Sequence, residues 1–185
     1  MPLLRLAASR LMEGEGKEEL AGELKKFRKN DAVKGWLKSS ALFEVLNKKF
    51  EGQYWWEWPA EYRDRKKKAM KAIEEELGDE IEIFIILQFL FNRQWNRVHD
   101  YANKRGIQII GDMPIYVGGH SADVWANRKL FTIKSDGSPD VVGGCPPDAF
   151  SATGQLWGNP LYDWNAHKKE NYAWWGTRLG VAGVR

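Results

Sequence analysis

The fold of this chain is best approached from one run of residues, Gly106-Ile107-Gln108-Ile109-Ile110-Gly111-Asp112. Its isoleucines, bounded by glycines, predict a short buried β-strand that ends at Asp112. From there to Trp164 the sequence is dense in glycine, proline, aspartate and aromatic residues. A carboxylate at a strand end, followed by an aromatic loop, is typical of the face on which an α/β barrel presents its chemistry to a substrate.

The sequence before Gly106 has the periodicity of helices. Apolar residues recur at helical spacing in four segments, residues 20–27, 42–50, 59–77 and 79–106. The fourth segment is predicted to begin with a capping box formed by Asp79 and Glu82. Its apolar face is predicted to carry Phe84, Gln88, Phe91, Trp95, Val98 and Ala102. Residues 81–86 could form a strand by composition, but the continuous 3.6-residue period favours a helix.

The sequence after the predicted strand contains few regular elements. Ser121 and Asp123 suit the start of a short helix through Trp125, and residues 134–137 suit a turn. Residues 140–162 have little periodicity and many breakers, which predicts a long functional loop. Asp163 is then predicted to cap a last helix that continues through Trp175.

These elements predict an α/β fold with two parts. Residues 1–105 would form a helical insertion, and residues 106–185 would supply a barrel strand, a substrate-binding loop and a helix. A parallel strand must be paired on both sides, and a complete (β/α)8 barrel takes about 250 residues. The chain is therefore predicted to be a partial (β/α)8 TIM barrel whose flanking strands are absent. The alternative is a self-contained helical domain with a small sheet.

Composition argues against several classes of partner. The net charge is +3, and basic clusters alternate with acidic ones, which is typical of solvated helix faces and not of nucleic-acid binding. The apolar run of residues 81–91 is too short to span a bilayer. The single cysteine, Cys145, excludes an internal disulfide and indicates a reducing compartment. The first residues lack the pattern of a secretory signal, and no targeting segment is visible.

The carboxylates and aromatic rings favour a carbohydrate-like ligand. Ten tryptophans offer flat faces that stack on sugar rings, although most aromatic residues are expected in the core. Glycoside transfer needs two carboxylates, and the candidates are Asp112, Asp123, Asp148 and Asp163. Asp112 has the best context, but it could instead cap a turn or pair with a buried arginine. Asp123 and Asp163 suit helix caps, and Asp148 suits either a loop near the ligand or a turn.

No metal or cofactor site is predicted. The three histidines lack metal-ligand spacing, and Ser121 lacks the glycines of a nucleophile elbow. Cys145 has no basic neighbour in sequence that would activate its thiol. The residue patterns alone therefore indicate a carbohydrate-like site and leave the reaction open.

Several long motifs, in order along the chain, resemble the 4-α-glucanotransferases, which are also called amylomaltases or disproportionating enzymes. The likeness is greatest to the plant plastid type and extends to about Trp175. The motifs that carry it lie at residues 55–59, 88–95, 106–117, 121–127, 146–151 and 153–164, and include Gly111-Asp112-Met113-Pro114-Ile115-Tyr116-Val117 and Gln155-Leu156-Trp157-Gly158-Asn159-Pro160.

This resemblance implies a barrel of the α-amylase-like superfamily and a cofactor-free reaction. The family cuts α-1,4-glucans, such as maltooligosaccharides and starch, and passes the segment to the 4-hydroxyl of another glucan by retaining double displacement. Asp112 matches a carboxylate that supports the catalytic centre and is not the nucleophile. The resemblance places the substrate-binding residues on the mobile loop and its flanks, at Asp148, Phe150, Gln155, Trp157 and Asn159. A plastid or cytoplasmic location follows from the same likeness.

The chain also departs from the family pattern. Ala152 replaces an acidic residue that is common in the loop, and residues 180–185 do not continue into the expected Arg-x-Asp-His motif. No residue is therefore assigned as nucleophile or general acid, and the isolated chain is expected to be inactive. The alternatives are a non-catalytic glucan-binding module, a helical interaction module and an α-glucan hydrolase.

Overall fold

The computed structural model describes residues 2–14 and 18–183, which form a mainly helical molecule with one small sheet. The helices are α1 (Pro2–Met12), α2 (Glu18–Lys29), α3 (Asp31–Lys34), α4 (Leu37–Lys49), α5 (Ala60–Arg63), α6 (Lys67–Glu76), α7 (Gly78–Asn103), α8 (Ala122–Ala126), α9 (Trp164–Lys169) and α10 (Ala173–Gly183). Short 3-10 turns cover Trp55–Glu57 and Arg128–Leu130. The strands are β1 (Val142–Cys145) and β2 (Gln155–Pro160), paired antiparallel.

The first two predicted helices are confirmed as α2 and α4, and the third is divided. The predicted helix over 59–77 breaks between α5 and α6, where Arg65 adopts the left-handed backbone conformation with φ of 53°. The break has a packing reason, because it places the Arg65 guanidinium 4.3 Å from the ring centroid of the buried Trp125. Such a cation–π contact is worth more when it is shielded from water.

Helix α7 is present, but its predicted start and apolar face are partly wrong. The N-cap residue is Leu77, whose side chain makes no capping hydrogen bond. Glu82 forms an ion pair with Arg28 and does not close a capping box. Helix α7 packs against α1, α2, α4 and α6. Its buried residues are Ile81, Ile83, Ile85, Ile86, Phe89, His99 and Ala102. Phe91, Trp95 and Val98 are exposed, because the packed neighbours enclose mainly the N-terminal half of the helix.

The predicted strand at residues 107–110 is wrong for the described chain. No ladder forms there, and Ile110 is 92% exposed. The backbone groups of a strand need neighbouring strands to bond with, and none lies beside this segment in the described residues. The fold class is thus observed as helices plus one hairpin, and not as a set of parallel strands.

The predicted loop over residues 140–162 contains the β1–β2 hairpin. Gly144 pairs with Leu156 and Cys145 with Gln155, and an irregularity follows Val142. The hairpin depends on glycine, because a Cβ at Gly144 would collide with the carbonyl oxygen of Gln155. Gly154 turns with φ of +72°, a conformation that glycine adopts without strain. The glycines that suggested a structureless loop therefore permit close strand pairing.

The predicted helix starts at Ser121 and Asp163 are confirmed. The Ser121 hydroxyl accepts a bond from the Val124 amide, and Asp163 Oδ1 accepts one of 3.0 Å from the Ala166 amide. The last helix is divided into α9 and α10, because Asn171 and Tyr172 both have positive φ. The turn at residues 134–137 is also confirmed, with the Gly137 amide bonded to the Lys134 carbonyl oxygen.

The main core joins the helices before residue 106 to the segment after it. Trp55, Trp58, Ile73, Trp125 and Leu130 are among its fully buried members. The division at residue 106 stays a prediction, although one hydrophobic cluster spans both sides of it. Among the described residues, no helix is both long and apolar enough to cross a membrane.

Candidate functional site

The segment that follows Asp112 is fixed by hydrogen bonds to its carbonyl oxygens. Arg178 Nη2 donates to the Pro114 oxygen at 2.7 Å, and the Tyr162 hydroxyl donates to the Ile115 oxygen at 2.6 Å. The Trp55 indole N–H donates to the Gly119 oxygen at 2.8 Å. The donors come from α10, from the second residue after β2 and from the 3-10 turn that follows α4. An irregular segment is thus held in place by three distant parts of the chain.

His120 anchors the end of this segment in an aromatic cluster. Its Nδ1 accepts a bond from the Trp55 amide at 3.1 Å, so its Nε2 carries the proton and donates to Asn47 Oδ1 at 2.8 Å. The rings of Phe43, Trp56 and Trp58 pack around it. Burial lowers the pKa of His120, with Glu57 opposing that effect. A neutral imidazole with both nitrogens bonded serves as a structural clamp.

The β1–β2 hairpin presents exposed apolar side chains at its tip and along one strand. Phe150 is 96% exposed, and Leu156 and Trp157 are exposed on β2. The Trp157 indole N–H donates to Gln155 Oε1 at 2.9 Å. The Trp157 ring lies 5.8 Å from the ring of Tyr116, tilted by 51°. Exposed apolar side chains that lie close together in this way form a candidate contact for a ligand or partner.

Asp148 orders the tip of the hairpin. Its Oδ1 accepts bonds from the amides of Phe150 at 2.9 Å and Ser151 at 2.8 Å, which makes it a turn former, as one of the two sequence interpretations proposed. The Ser151 hydroxyl closes the same turn by donating to the Gly154 oxygen at 2.7 Å. The Phe150 ring is therefore held outward by its own backbone turn. Asn159 lies half-buried further along β2.

Asp112 lies apart from the hairpin, between two cavities. A cavity of about 660 Å³ is lined by Asp112, Trp36, Asp123, Trp174 and Arg178, among others, and by no residue of the hairpin. A second cavity of about 280 Å³ shares Asp112 with the C-terminal half of α7. Asp112 itself is exposed, and no ion pair with an arginine is found for it among the described residues. Its role as a supporting carboxylate stays a prediction.

Asp123 is not a helix cap, which corrects one sequence interpretation. It lies inside α8, half-buried, and bonds to the Trp174 side chain. Burial raises the pKa of Asp123, while the nearby Arg178 and the Trp174 bond oppose that shift. The Arg178 guanidinium also lies 4.6 Å from the Trp174 ring centroid. Sequence reasoning missed this cluster, although the four-residue spacing of Trp174 and Arg178 places them on one helix face.

The structure thus brings the hairpin residues together and separates them from Asp112. Asp148, Phe150, Gln155, Trp157 and Asn159 all belong to β2 or its connecting turn. No group of three or more potential metal ligands occurs in the described part of the chain. An exposed aromatic hairpin on a helical scaffold, with a separate cavity that Asp112 and Asp123 line, is an arrangement suited to a carbohydrate-active protein.

Comparison with known proteins identifies the family. Residues 1–182 match the family model Glyco_hydro_77, described as 4-alpha-glucanotransferase. The chain belongs to the 4-α-glucanotransferase family. The likeness to plant plastid members predicted from the motifs is confirmed as well. The chain is 48% identical to the chloroplastic/amyloplastic 4-alpha-glucanotransferase of Solanum tuberosum and 49% identical to that of Oryza sativa subsp. japonica.

The chain corresponds to only part of these proteins. The match to the potato protein covers 96% of this chain and 31% of the relative, and the match to the rice protein covers 98% and 30%. A solved structure, the amylomaltase of Streptococcus agalactiae in complex with acarbose, superposes with a TM-score of 0.88 at 34% identity. That match covers 96% of this chain and 35% of the amylomaltase. The chain therefore spans about a third of the length of its relatives.

Proposed function

We propose that this chain supplies a glucan-contacting part of a 4-α-glucanotransferase, which transfers α-1,4-glucan segments to the 4-hydroxyl of acceptor glucans. The observation that carries the proposal is the exposed aromatic hairpin, with Phe150 at its tip and Trp157 on β2. The similarity of the chain to an amylomaltase bound to acarbose supports α-glucans, such as maltooligosaccharides and starch, as the ligand class.

The chemistry of the hairpin suits a glucan chain. Aromatic faces stack on the apolar faces of sugar rings, and amide groups exchange hydrogen bonds with hydroxyls. Phe150 and Trp157 would supply the stacking faces, and Gln155 and Asn159 the amides. Asp148 would hold the tip in shape and offer carboxylate oxygens to hydroxyls. A hairpin that folds over bound glucan also excludes water, which favours transfer over hydrolysis.

Asp112 is assigned a supporting role in this proposal. It lies next to the bonded segment 114–119 and lines the 660 Å³ cavity, where a carboxylate can orient neighbouring groups. The retaining double displacement of the family needs a nucleophile and an acid/base carboxylate, and neither is assigned to a residue of this chain. The chain alone is therefore proposed to lack transferase activity.

We also propose a division of the chain and a cellular location. Residues 1–105 would be a helical insertion and residues 106–185 a portion of a (β/α)8 barrel; the match to about a third of an amylomaltase supports a partial barrel. A plastid location is proposed from the names of the plant relatives, which are described as chloroplastic/amyloplastic.

Calorimetric titration with maltoheptaose tests the glucan contact. We expect weak binding in the millimolar range, and a loss of about tenfold in affinity, equal to about 1.4 kcal/mol, for Trp157→Ala. Trp95→Ala is the matched control, since Trp95 is similarly exposed but lies on α7. Absence of binding by the unaltered chain, or equal losses for both variants, rejects the hairpin as the glucan contact.

A second assay addresses catalysis. Incubation of the chain with maltotriose is expected to leave the substrate unchanged. Formation of glucose together with longer maltodextrins would show that the chain carries its own nucleophile and acid/base. Formation of glucose and maltose alone would indicate a hydrolase.

A further inference from the structure

A fully buried histidine on α9 lacks the hydrogen bonds that the other histidines of the chain make. Neither ring nitrogen of His167 has a hydrogen-bond partner among the described residues. His120 has both nitrogens bonded, and His99 Nδ1 bonds to the Asn103 amide group at 3.0 Å. A buried polar atom without a partner costs stability, so its presence in a folded protein needs an explanation.

Aromatic rings enclose His167. The ring centroids of Trp164, Tyr162 and Trp174 lie 5.4, 5.5 and 5.7 Å from that of the imidazole. The Trp175 ring lies slightly further away, at 6.3 Å. Aromatic faces offer no strong acceptor to a neutral N–H, but they attract a cation at about this distance. The enclosure can therefore hold an imidazolium as well as a neutral imidazole.

One carboxylate connects this enclosure to α10. Glu170 Oε1 accepts a hydrogen bond of 3.2 Å from the Trp174 amide, and the same oxygen lies 3.9 Å from His167 Nδ1. Amides in the first turn of a helix lack a partner within the helix, so Glu170 satisfies one of them. A protonated His167 presents an N–H to that oxygen, and a shift of about 1 Å gives a charge-assisted bond of normal length. The protonation state of His167 thus determines whether this oxygen serves one donor or two.

The backbone between α9 and α10 is strained beside this carboxylate. Asn171 and Tyr172 have φ of 53° and 55°, and the left-handed region is unfavourable for a bulky residue such as tyrosine. The Tyr172 amide bonds to the carbonyl oxygen of His167 at 2.9 Å, which ties the junction to the histidine itself. A junction held in a strained conformation by a few contacts responds when one of those contacts moves.

Helix α10 carries such a movement to the segment after Asp112. The Trp174 side chain bonds to Asp123, and its ring lies under the Arg178 guanidinium. Arg178 Nη2 in turn donates to the Pro114 carbonyl oxygen at 2.7 Å. Contiguous contacts therefore lead from the imidazole to a backbone carbonyl two residues from Asp112.

We propose that His167 is a pH-responsive switch: on gaining a proton it draws the Glu170 carboxylate away from the Trp174 amide, and α10 transmits the change through Arg178 to the Pro114 carbonyl. The inference goes beyond glucan binding and does not depend on it. The titratable and charged groups on the elements around α9 and α10 are Asp31, Lys34, Asp123, Arg128, Lys129, Tyr162, Asp163, Lys168, Lys169, Glu170 and Arg178.

Asp123 is the rival among these groups. Burial raises the pKa of Asp123, and its carboxylate bonds to the same Trp174 side chain. Its protonation could therefore also disturb α10 as the solution becomes acidic. Lys129 lies 3.9 Å from the other oxygen of Glu170, but its side chain is exposed and stays charged over this range. The experiment has to separate His167 from Asp123.

Nuclear magnetic resonance of the full chain follows both ends of the route. The pH is lowered from about 8 to about 5, the range in which histidines change charge. The ring nitrogens of His167 report its protonation, and the backbone amides of Trp174 and Ile115 report the two ends of α10's contacts. The Ile115 amide belongs to the same peptide unit as the Pro114 carbonyl, so it senses the bond from Arg178. We expect both amide resonances to shift with the same midpoint as the His167 nitrogens.

Three variants test the route. His167→Met fills the enclosure without titrating, and should abolish both amide shifts. Glu170→Gln keeps an acceptor for the Trp174 amide but not the charge. His167 should still titrate in it, while the Ile115 shift falls by at least about half, because a neutral bond is about half as strong. Asp123→Asn is the matched control, since it removes the rival titration and should keep both shifts.

Several results would overturn the proposal. One is a His167 ring that does not titrate in the folded chain. Another is an Ile115 shift that survives in His167→Met, which would assign it to His120, or that disappears in Asp123→Asn, which would assign it to Asp123. If His167→Met does not fold, Glu170→Gln decides alone, and an undiminished Ile115 shift in that variant rejects the route through Glu170.

Discussion

The Tyr162 hydroxyl donates a hydrogen bond of 2.6 Å to the carbonyl oxygen of Ile115, across 47 positions of sequence. Tyr162 itself is buried, and its ring packs on Phe131 and Trp175. This single bond connects the end of the hairpin to the segment that follows Asp112. Together with the contact between the Trp157 and Tyr116 rings, this bond helps to fix the hairpin relative to that segment.

Tyr162→Phe is expected to lower the free energy of unfolding by about 1 kcal/mol, because it removes that bond and keeps the ring. Urea unfolding followed by tryptophan fluorescence measures the change. Tyr172→Phe is the control, since Tyr172 is exposed and should change stability by less than about 0.5 kcal/mol. Equal effects of the two variants would contradict the structural role of Tyr162.

Gly137→Ala is expected to destabilise the fold by more than about 2 kcal/mol. Gly137 has φ of +96°, and an added Cβ would overlap the buried ring of Trp55. Gly118→Ala tests the specificity of this effect, because a Cβ at Gly118 would meet no atom within 4 Å. Thermal unfolding compares the variants, and a melting temperature for Gly137→Ala close to that of Gly118→Ala would refute the expected overlap.

Stability should fall as the solution becomes acidic, in part through His120. Burial lowers the pKa of His120 in the folded state, so the unfolded chain takes up a proton first as the pH decreases below about 6.5. The stability that the neutral His120 contributes is fully present above that pH, and it is lost as the pH falls through the pKa of the folded state. His120→Gln keeps a donor and an acceptor without titrating, and should show a smaller loss of stability between pH 7.5 and pH 5.5 in urea unfolding. An unchanged pH dependence in the variant would exclude His120 as a source.

Asp148→Ala is expected to weaken maltoheptaose binding by several-fold and to lower stability by about 1 kcal/mol, because the amides of Phe150 and Ser151 lose their acceptor. The chain offers a matched control in Asp136, whose Oδ1 bonds the Ser138 amide at 2.9 Å in a comparable turn. Asp136→Ala should cost similar stability and leave binding unchanged. Titration calorimetry and urea unfolding on both variants separate the two effects, and equal binding losses would show that the tip conformation is not what the ligand requires.

Local sequence signals predicted most helices of this chain correctly. The caps at Ser121 and Asp163 were predictable because a short polar side chain bonds the amide three residues on, which is a local interaction. The division of the 59–77 helix could not be predicted from local sequence. The left-handed Arg65 is stabilised by contact with Trp125, some 60 residues away. The hairpin was missed for a similar reason, because glycines that favour a loop locally also permit close strand pairing.

For the candidate site, the structure shows where the residues lie, and their roles in ligand binding stay predictions. The residues of the hairpin were identified through family motifs, and the turn role of Asp148 was one of two interpretations. The strand at residues 107–110 failed because isoleucine content indicates what a segment can do, whereas a ladder also requires a neighbour. The environment of Asp123 depends on helix α10, whose docking no local pattern reveals.

The glycines of the hairpin also affect how this protein can evolve. Gly144 and Gly154 have no room for a side chain, so these two positions are closed to substitution while the hairpin keeps its pairing. The outward positions at Ala152, Leu156 and Trp157 are exposed and carry no such restriction. Substitutions can therefore accumulate on the exposed face of the hairpin without altering its backbone, and the exposed Ala152 is one position where they would be tolerated.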